Sequence, residues 1–192
     1  MKRTGRMLYL SGEARADQAE KTLVNGAGDI THFFKNILVD ERRGYAYKVT
    51  FASIYPNVSN PPRMLGQAYG LYSFSKRELR RMSDDVASAN LGITRSLAAL
   101  NRNIAIVGTP VTDPSQPVGI SSTLDYQNGY VIKGDAMVTQ SLSIGACTGN
   151  GTTKVSATVV TYYIELEEYD VSSDEEILLI LNERSQDAEG VQ

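Results

Sequence analysis

The sequence predicts a mainly β protein, an antiparallel β-sandwich of the jelly-roll kind with short inserted helices and a short C-terminal helix. Three observations lead to this fold class. The 192 residues include 11 Tyr and 16 Gly but no Trp, a composition that favours strands. Several segments alternate apolar and polar residues with the period of two that a half-buried strand requires. Turn sequences containing Gly separate these segments, and the length suits a single domain.

Residues 1–27 are predicted to form an extended N-terminal arm. Residues 7–10 (Met-Leu-Tyr-Leu) suit a short strand, whereas residues 12–21 are polar. Residues 25–28 contain two glycines and indicate a flexible joint. We therefore expect this arm to become ordered only against a neighbouring molecule.

The first long strands are predicted at residues 28–40 and 45–55. Apolar side chains are irregularly spaced in the first, which favours a bulge or a bend. The second alternates strictly, so that Tyr45, Tyr47, Val49, Phe51 and Tyr55 would share one face. The intervening residues 40–44 suit a turn that ends in glycine. We expect the two strands to pair as a hairpin.

Residues 65–74 are predicted to be a strand, followed by a short helix. Ser75 and Glu78 have the spacing of a capping box, and the helix would run to residue 82. Residues 83–100 mix small and polar side chains and favour helix or irregular structure. We therefore expect one β-sandwich domain over residues 28–186, with an insertion around residues 75–102 and a flexible tail at 187–192.

Two further strands are predicted at residues 130–144 and 154–166. Both alternate, and the second is rich in β-branched residues. Asn150-Gly151 lies between them and is a sequence typical of tight hairpin turns. We expect these two segments to form a long antiparallel hairpin.

A short C-terminal helix is predicted to begin at Ser172. Serine accepts hydrogen bonds from the free amides of a first helical turn, and the three acidic residues 174–176 suit the positive end of the helix dipole. Residues 177–181 are apolar on every side. Such a helix is expected to pack against another surface.

The sequence offers little catalytic chemistry. His32 is the single histidine and Cys147 the single cysteine, which excludes internal disulfides, His-His metal pairs and multi-cysteine metal sites. A catalytic triad would require His32, which lies in an apolar strand segment and is more typical of a packed or hydrogen-bonded histidine. No phosphate-binding glycine loop and no apolar stretch of about 20 residues is present. We therefore predict a protein that is not an enzyme, with no catalytic, cofactor-binding or metal site, no cofactor and no transmembrane segment.

An acidic segment follows the last strand. Glu165, Glu167, Glu168 and Asp170 lie close together in the chain. Glu165 and Glu167 share a strand face, which is compatible with a bound hard cation or with a glycosidase pair. The spacing matches no calcium loop. A solvated or subunit-facing acidic edge is the favoured interpretation.

Four cationic residues cluster on the predicted short helix: Lys76, Arg77, Arg80 and Arg81. Charge is also uneven along the chain, because residues 1–102 hold 16 Lys and Arg against 9 Asp and Glu, whereas residues 103–192 hold 3 against 13. Three interpretations stay open for the cluster. It is a solvated helix face, a contact with the acidic region of a second copy, or a non-specific contact with nucleic acid.

Long alternating strands, a basic arm, a polar insertion and an apolar terminal helix together resemble viral capsid and virion structural proteins of the jelly-roll type. The strands at 28–55 and 130–166 and the terminal segment 169–186 carry this resemblance, which is architectural and rests on no diagnostic motif. It implies a self-assembling homo-oligomeric coat subunit in a virion, in contact with other virion proteins.

The alternative function is a non-catalytic binding module for carbohydrate or for a receptor. Such a β-sandwich would use an aromatic platform in its loops. The tyrosines that we considered for it are Tyr55, Tyr69, Tyr72, Tyr126 and Tyr130.

Overall fold

The computed structural model describes residues 1–56, 67–82, 96–102, 131–132, 137–148 and 158–185. These residues form ten strands in two antiparallel sheets, with two α-helices. In chain order the elements are β1 (Lys2–Arg15), β2 (Lys21–Val24), β3 (Ile30–Leu38), β4 (Tyr45–Pro56), β5 (Gln67–Tyr72), α1 (Lys76–Arg81), β6 (Ser96–Arg102), β7 (Val131–Ile132), β8 (Met137–Val138), β9 (Ser141–Thr148), β10 (Val159–Asp170) and α2 (Ser173–Ser185).

The two sheets have the strand orders β1-β10-β4-β8, here called sheet I, and β2-β3-β9-β5-β6-β7, here called sheet II. From β3 to β5 and from β7 to β10, each strand lies in the opposite sheet from the one before it. β1, the first described strand, pairs with β10, the last one. Strands that swap sheets in this way define a jelly roll, so the predicted antiparallel β-sandwich is confirmed.

The core lies between the two sheets and takes one face of each. Phe33, Leu71 and Ile144 come from sheet II, and Tyr47 and Ile164 come from sheet I; all five are buried. Apolar burial of this extent is the main free-energy term that holds two sheets together.

A bulge in β4 decides which side chains face the core. Val49 pairs with Leu166 and Phe51 pairs with Glu165, so Thr50 is an extra residue in the ladder. Val49 is buried before the bulge and Ala52 after it, while Phe51 is exposed. The alternation predicted for residues 45–55 is therefore wrong beyond Thr50, because one inserted residue turns the following side chains over.

Both predicted hairpins are wrong. β3 pairs with β2 and β9, whereas β4 pairs with β10 and β8 in the other sheet. Likewise β9 belongs to sheet II and β10 to sheet I. Asn150-Gly151 lies outside the described residues. In a jelly roll such connections cross between the sheets, so strands adjacent in sequence need not pair.

The strand predicted at residues 130–144 is also divided differently. β7 ends at Ile132 in sheet II, β8 joins sheet I, and a bend at Thr139 and Gln140 precedes β9. The bend is held by the backbone amide of Val39, which donates to the carbonyl of Gln140 at 2.9 Å. One alternating segment therefore contributes to both sheets.

The N-terminal segment differs from its expected behaviour as well. β1 pairs with β10 from Lys2 opposite Asp170 to Arg15 opposite Val159, interrupted between Arg3 and Met7. Residues 2–15 are thus ordered within the chain and require no neighbour. The boundary of an arm at residue 27 stays a prediction, as do the domain limits 28–186.

The two helices begin where the sequence predicts. At α1 the Ser75 side chain accepts from the Glu78 amide at 3.3 Å, while the Glu78 side chain accepts from the Ser75 amide at 2.7 Å. The same arrangement caps α2, where Ser172 and Glu175 exchange the corresponding bonds at 3.3 and 2.9 Å. Within residues 96–100 the prediction of helix or irregular structure is wrong, because β6 pairs there with β5. Neither described helix is long and apolar enough to cross a membrane.

Candidate interaction surfaces

The single histidine and cysteine both lie in sheet II. His32 is buried in β3, and its Nδ1 lies 3.0 Å from the Thr31 hydroxyl. Burial lowers the pKa of His32, and burial raises the pKa of the Cys147 thiol to about 11. A thiol with this pKa carries little nucleophilic thiolate at neutral pH. Within the described ranges no three His, Cys, Asp or Glu residues are grouped as metal ligands.

A polar cluster closes one end of sheet I. The Arg42 guanidinium donates to Asp40 and to Glu168, both at 2.7 Å, and the Tyr47 hydroxyl donates to Asp40 at 2.5 Å. Arg6 lies 3.8 Å from Glu168, and the Thr4 hydroxyl donates to the same carboxylate at 3.1 Å. Glu168 is buried, and the charges of Arg42 and Arg6 compensate its carboxylate.

The cluster shifts the ionisation of its members. Hydrogen bonds from the Arg42 side chain, from Tyr47 and from the Arg42 amide hold the pKa of Asp40 well below its usual range. Burial, together with the hydrogen bond to Asp40, raises the pKa of Tyr47 above its usual range. The arrangement ties residues 40–47 to the last strand as a structural ion-pair network.

The acidic segment is in large part satisfied inside the chain. Arg3 forms an ion pair with Glu167, which also accepts from the Tyr169 hydroxyl at 2.9 Å. Glu168 meets the cations of the polar cluster described above. Arginines of the N-terminal region therefore neutralise part of the acidic strand. The edge exposes fewer unpaired carboxylates than the sequence alone indicates.

The four predicted cationic residues are all exposed on α1. Lys76 lies 3.8 Å from Glu20, whereas Arg77, Arg80 and Arg81 have no ion-pair partner among the described residues. The structure thus places the four side chains together on the outer side of sheet II. Whether they contact nucleic acid or a second copy stays a prediction.

The helix that carries these cations covers the outer face of sheet II. Leu79 of α1 is fully buried against an aromatic cluster made of Phe34, Tyr72 and Phe74. The Phe34 and Tyr72 rings meet edge to face, with centroids 5.8 Å apart. Gly145 lies beneath them, and a Cβ there would come within 2.6 Å of both rings. The absent side chain makes room for the two rings over the strand.

The outer face of sheet I carries an aromatic cluster that no described element covers. Tyr9, Phe51, Tyr55 and Tyr163 belong to it, and between 38% and 61% of each residue is exposed. The Phe51 and Tyr163 rings meet edge to face, with centroids 6.1 Å apart. We call these four residues the aromatic face of sheet I.

The sequence did not reveal this cluster. The predicted tyrosine platform included Tyr55, but Tyr69 and Tyr72 are buried, and Tyr126 and Tyr130 lie outside the described residues. Alternation in residues 154–166 does place Tyr163 opposite the core. The sequence groups Phe51 on one face with Tyr47 and Val49, which are both buried, because the bulge at Thr50 has no sequence signal.

An exposed apolar stripe follows one side of α2. Ile177, Leu178 and Leu181 are each more than half exposed, and their spacing puts them within about 100° of the helix circumference. The helix is held to the body of the protein at its first turn. There Glu176 accepts from the Gly44 amide at 3.2 Å, and Glu175 pairs with the Met1 ammonium.

Comparison with known proteins gives limited information. No protein-family model and no curated protein matches the sequence. Among solved structures, the chain is similar to one described as the unassembled KI polyomavirus VP1 pentamer, with a TM-score of 0.38 and 8% sequence identity. The match covers 88% of this chain and 95% of that one. Likeness at this level carries no argument about function, and the jelly-roll topology rests on the strand order of this chain itself.

Proposed function

We propose that this protein is a structural subunit that assembles with copies of itself, as a coat subunit of a virion does. The observation that carries the proposal is the apolar stripe of α2. Three large aliphatic side chains on one helix side are more than half exposed to water, which is unfavourable unless another surface covers them. The sequence predicts that this helix packs against a partner, and in the described chain the stripe has none.

A second copy is the occupant that charge complementarity favours. Asp170 and Asp174 are exposed where β10 passes into α2, and neither has an ion-pair partner among the described residues. Arg77, Arg80 and Arg81 on α1 are exposed and lack such partners too. α1 packs on sheet II, whereas α2 follows β10 of sheet I in the chain. A contact between α2 of one copy and the α1 side of the next would therefore join unlike surfaces, and such contacts generate closed rings or open filaments.

The jelly roll supports the proposal by analogy only. This fold is used by viral capsid proteins, and also by lectins and cupins. A coat subunit further requires a cationic surface where it meets nucleic acid. The arginines of α1 could serve that contact in place of the contact between copies, so the test has to separate the two uses.

The test is the size of the particle formed by the full chain. We expect sedimentation velocity and negative-stain imaging to show large, regular particles. The double variant Leu178→Ser with Leu181→Ser should sediment as a small species, because the apolar area that drives association is removed. Leu38→Ser is the matched control, since Leu38 is equally exposed but lies in β3.

Three results would contradict the proposal. One is a monomeric wild-type protein at high concentration. Another is particles that persist unchanged when the α2 stripe is replaced. The third is equal loss of particles in the Leu38→Ser control. To assign α1, Arg80→Glu is combined with Asp174→Arg. If the double variant forms particles again, α1 contacts a second copy. If Arg80→Glu instead loses binding to DNA while particles still form, α1 contacts nucleic acid.

A further inference from the structure

Rings and polar groups alternate across the aromatic face of sheet I. Strands β1, β10 and β4 lie side by side there, and their register aligns the outward side chains in three rows. The rows are Tyr9, Glu165 and Phe51, then Ser11, Tyr163 and Ser53, then Glu13, Thr161 and Tyr55. In the first two rows every ring has a hydroxyl or carboxylate as its lateral neighbour, so the face has the pattern of a chequerboard.

The dimensions of this face suit an extended ligand. Tyr9 and Phe51 are separated by two steps between strands, roughly 10 Å, and Tyr55 lies about 13 Å further along β4. All four rings are accessible, and Tyr163 lies between the others. The surface is open and wider than one sugar ring, which favours a chain of linked units over a single small molecule.

The charge of the face limits what it binds. Glu165 lies in the first row between two rings and accepts from the Tyr163 hydroxyl at 3.1 Å, with no cation paired to it among the described residues. Glu13 is 3.9 Å from Arg15 and so is partly compensated. An uncompensated carboxylate among the rings repels phosphates, and hence nucleic acid or anionic lipid.

A second copy of the chain is a poor occupant for the same reason. Covering the face with an apolar helix such as α2 would remove the Glu165 carboxylate from water without supplying a donor. The centres of protein interfaces are depleted in charged residues, whereas here the charge lies among the rings. The preferred ligand offers apolar patches and hydrogen-bond donors at short, regular intervals.

We infer that the aromatic face of sheet I is a binding surface for a neutral oligosaccharide. The C–H faces of sugar rings stack on the four rings of this face, because an aromatic face attracts polarised C–H groups. Sugar hydroxyls donate to Glu165, and a charge-assisted hydrogen bond of this kind is stronger than a neutral one. This binding function is separate from assembly and uses a different surface from the α2 stripe.

The experiment exposes the full-length protein to a glycan array that carries neutral, sulfated and sialylated oligosaccharides. Calorimetric titration with cellohexaose and maltohexaose follows. We expect neutral glycans alone to bind. The double variant Tyr9→Ser with Tyr55→Ser should bind the same neutral glycans about tenfold more weakly or not at all, because two stacking rings are lost. Glu165→Gln should reduce the preference for neutral over sialylated glycans.

Val24→Ser is the control, because Val24 is equally exposed but lies in β2 of the other sheet, and it should bind as the wild type does. Absence of any neutral hit overturns the inference. So does binding restricted to sulfated or sialylated glycans, or binding of single-stranded oligothymidine that weakens steeply with salt. If the tyrosine variant changes particle size and no glycan binds, the face is an interface between copies.

The two proposals fail separately. Glycan binding is measured a second time on the Leu178→Ser, Leu181→Ser variant, in which the α2 stripe is replaced. Retained binding in a dispersed protein supports both proposals. If replacing the α2 stripe leaves particle size unchanged and a neutral glycan binds, only the assembly proposal is refuted.

Discussion

The outer faces of the two sheets carry similar aromatic clusters in opposite environments. On sheet II, Phe34, Tyr72 and Phe74 lie under α1, and Leu79 completes their burial. On sheet I, the four rings of the aromatic face are open to water. The chain thus covers one cluster with its own helix and leaves the other accessible.

The difference lies in the residues between the rings. Sheet II places glycine beneath its rings, so they contact the strand and one another closely. Sheet I instead places a carboxylate and hydroxyls beside its rings, and these groups need water or a polar ligand. Exposure of the sheet I cluster is therefore matched to its polar neighbours, as expected for the binding surface that we propose.

Leu79→Ala gives the largest expected effect. The side chain is fully buried between α1 and the sheet II cluster, so its removal should lower the free energy of unfolding by about 2–5 kcal/mol. Tyr9→Ser on the exposed face should change it by only about 0.5 kcal/mol or less. Urea denaturation followed by circular dichroism measures the free energy of unfolding of both variants. Equal losses would mean that the two faces do not differ in their contribution to stability.

Gly145→Ala is expected to have the next largest effect. The added methyl group would come within 2.6 Å of the Phe34 and Tyr72 rings, and overpacking of this kind costs about 1–3 kcal/mol. Gly26→Ala is its control, because a Cβ at Gly26 meets nothing within 4 Å. A neutral Gly145→Ala variant would mean that the sheet II rings are loosely packed.

The polar cluster at the end of sheet I provides the smallest effect, which depends on pH. Because the pKa of Asp40 is depressed in the folded state, its contribution to stability is present above the unfolded pKa of about 3.9 and is lost as the pH falls below it. Asp40→Asn should therefore flatten the fall of Tm between about pH 5 and pH 2. If Tm of the wild type and of the variant falls in parallel over this pH range, Asp40 does not stabilise the fold in this way.

Local elements could be predicted well from the sequence. The strand that begins at Tyr45 and the capping residues Ser75 and Ser172 are confirmed, since alternation and capping depend on neighbouring residues. Gly44 also adopts the positive φ of 80° that its turn position required.

Pairing and surface patterns could not be predicted in the same way. A turn sequence indicates that the chain reverses, but not whether it returns to the same sheet or crosses to the other, so β3 and β4 were wrongly paired. The bulge at Thr50 depends on how β4 meets β10, and it alone decides that Phe51 points outward. The four residues of the aromatic face come from three strands that only the fold brings together.

The pairing of β1 with β10 has a consequence for the order of events during synthesis. Partners such as Lys2 and Asp170 are far apart in the chain, and contacts of such long range form late and slowly. Among the described strands β1 pairs only with β10, so during translation it lacks this partner until β10 has emerged from the ribosome, and α2 emerges after that. The contact that we propose for the apolar stripe therefore cannot form before β10 has been synthesised, because α2 follows β10 in the chain.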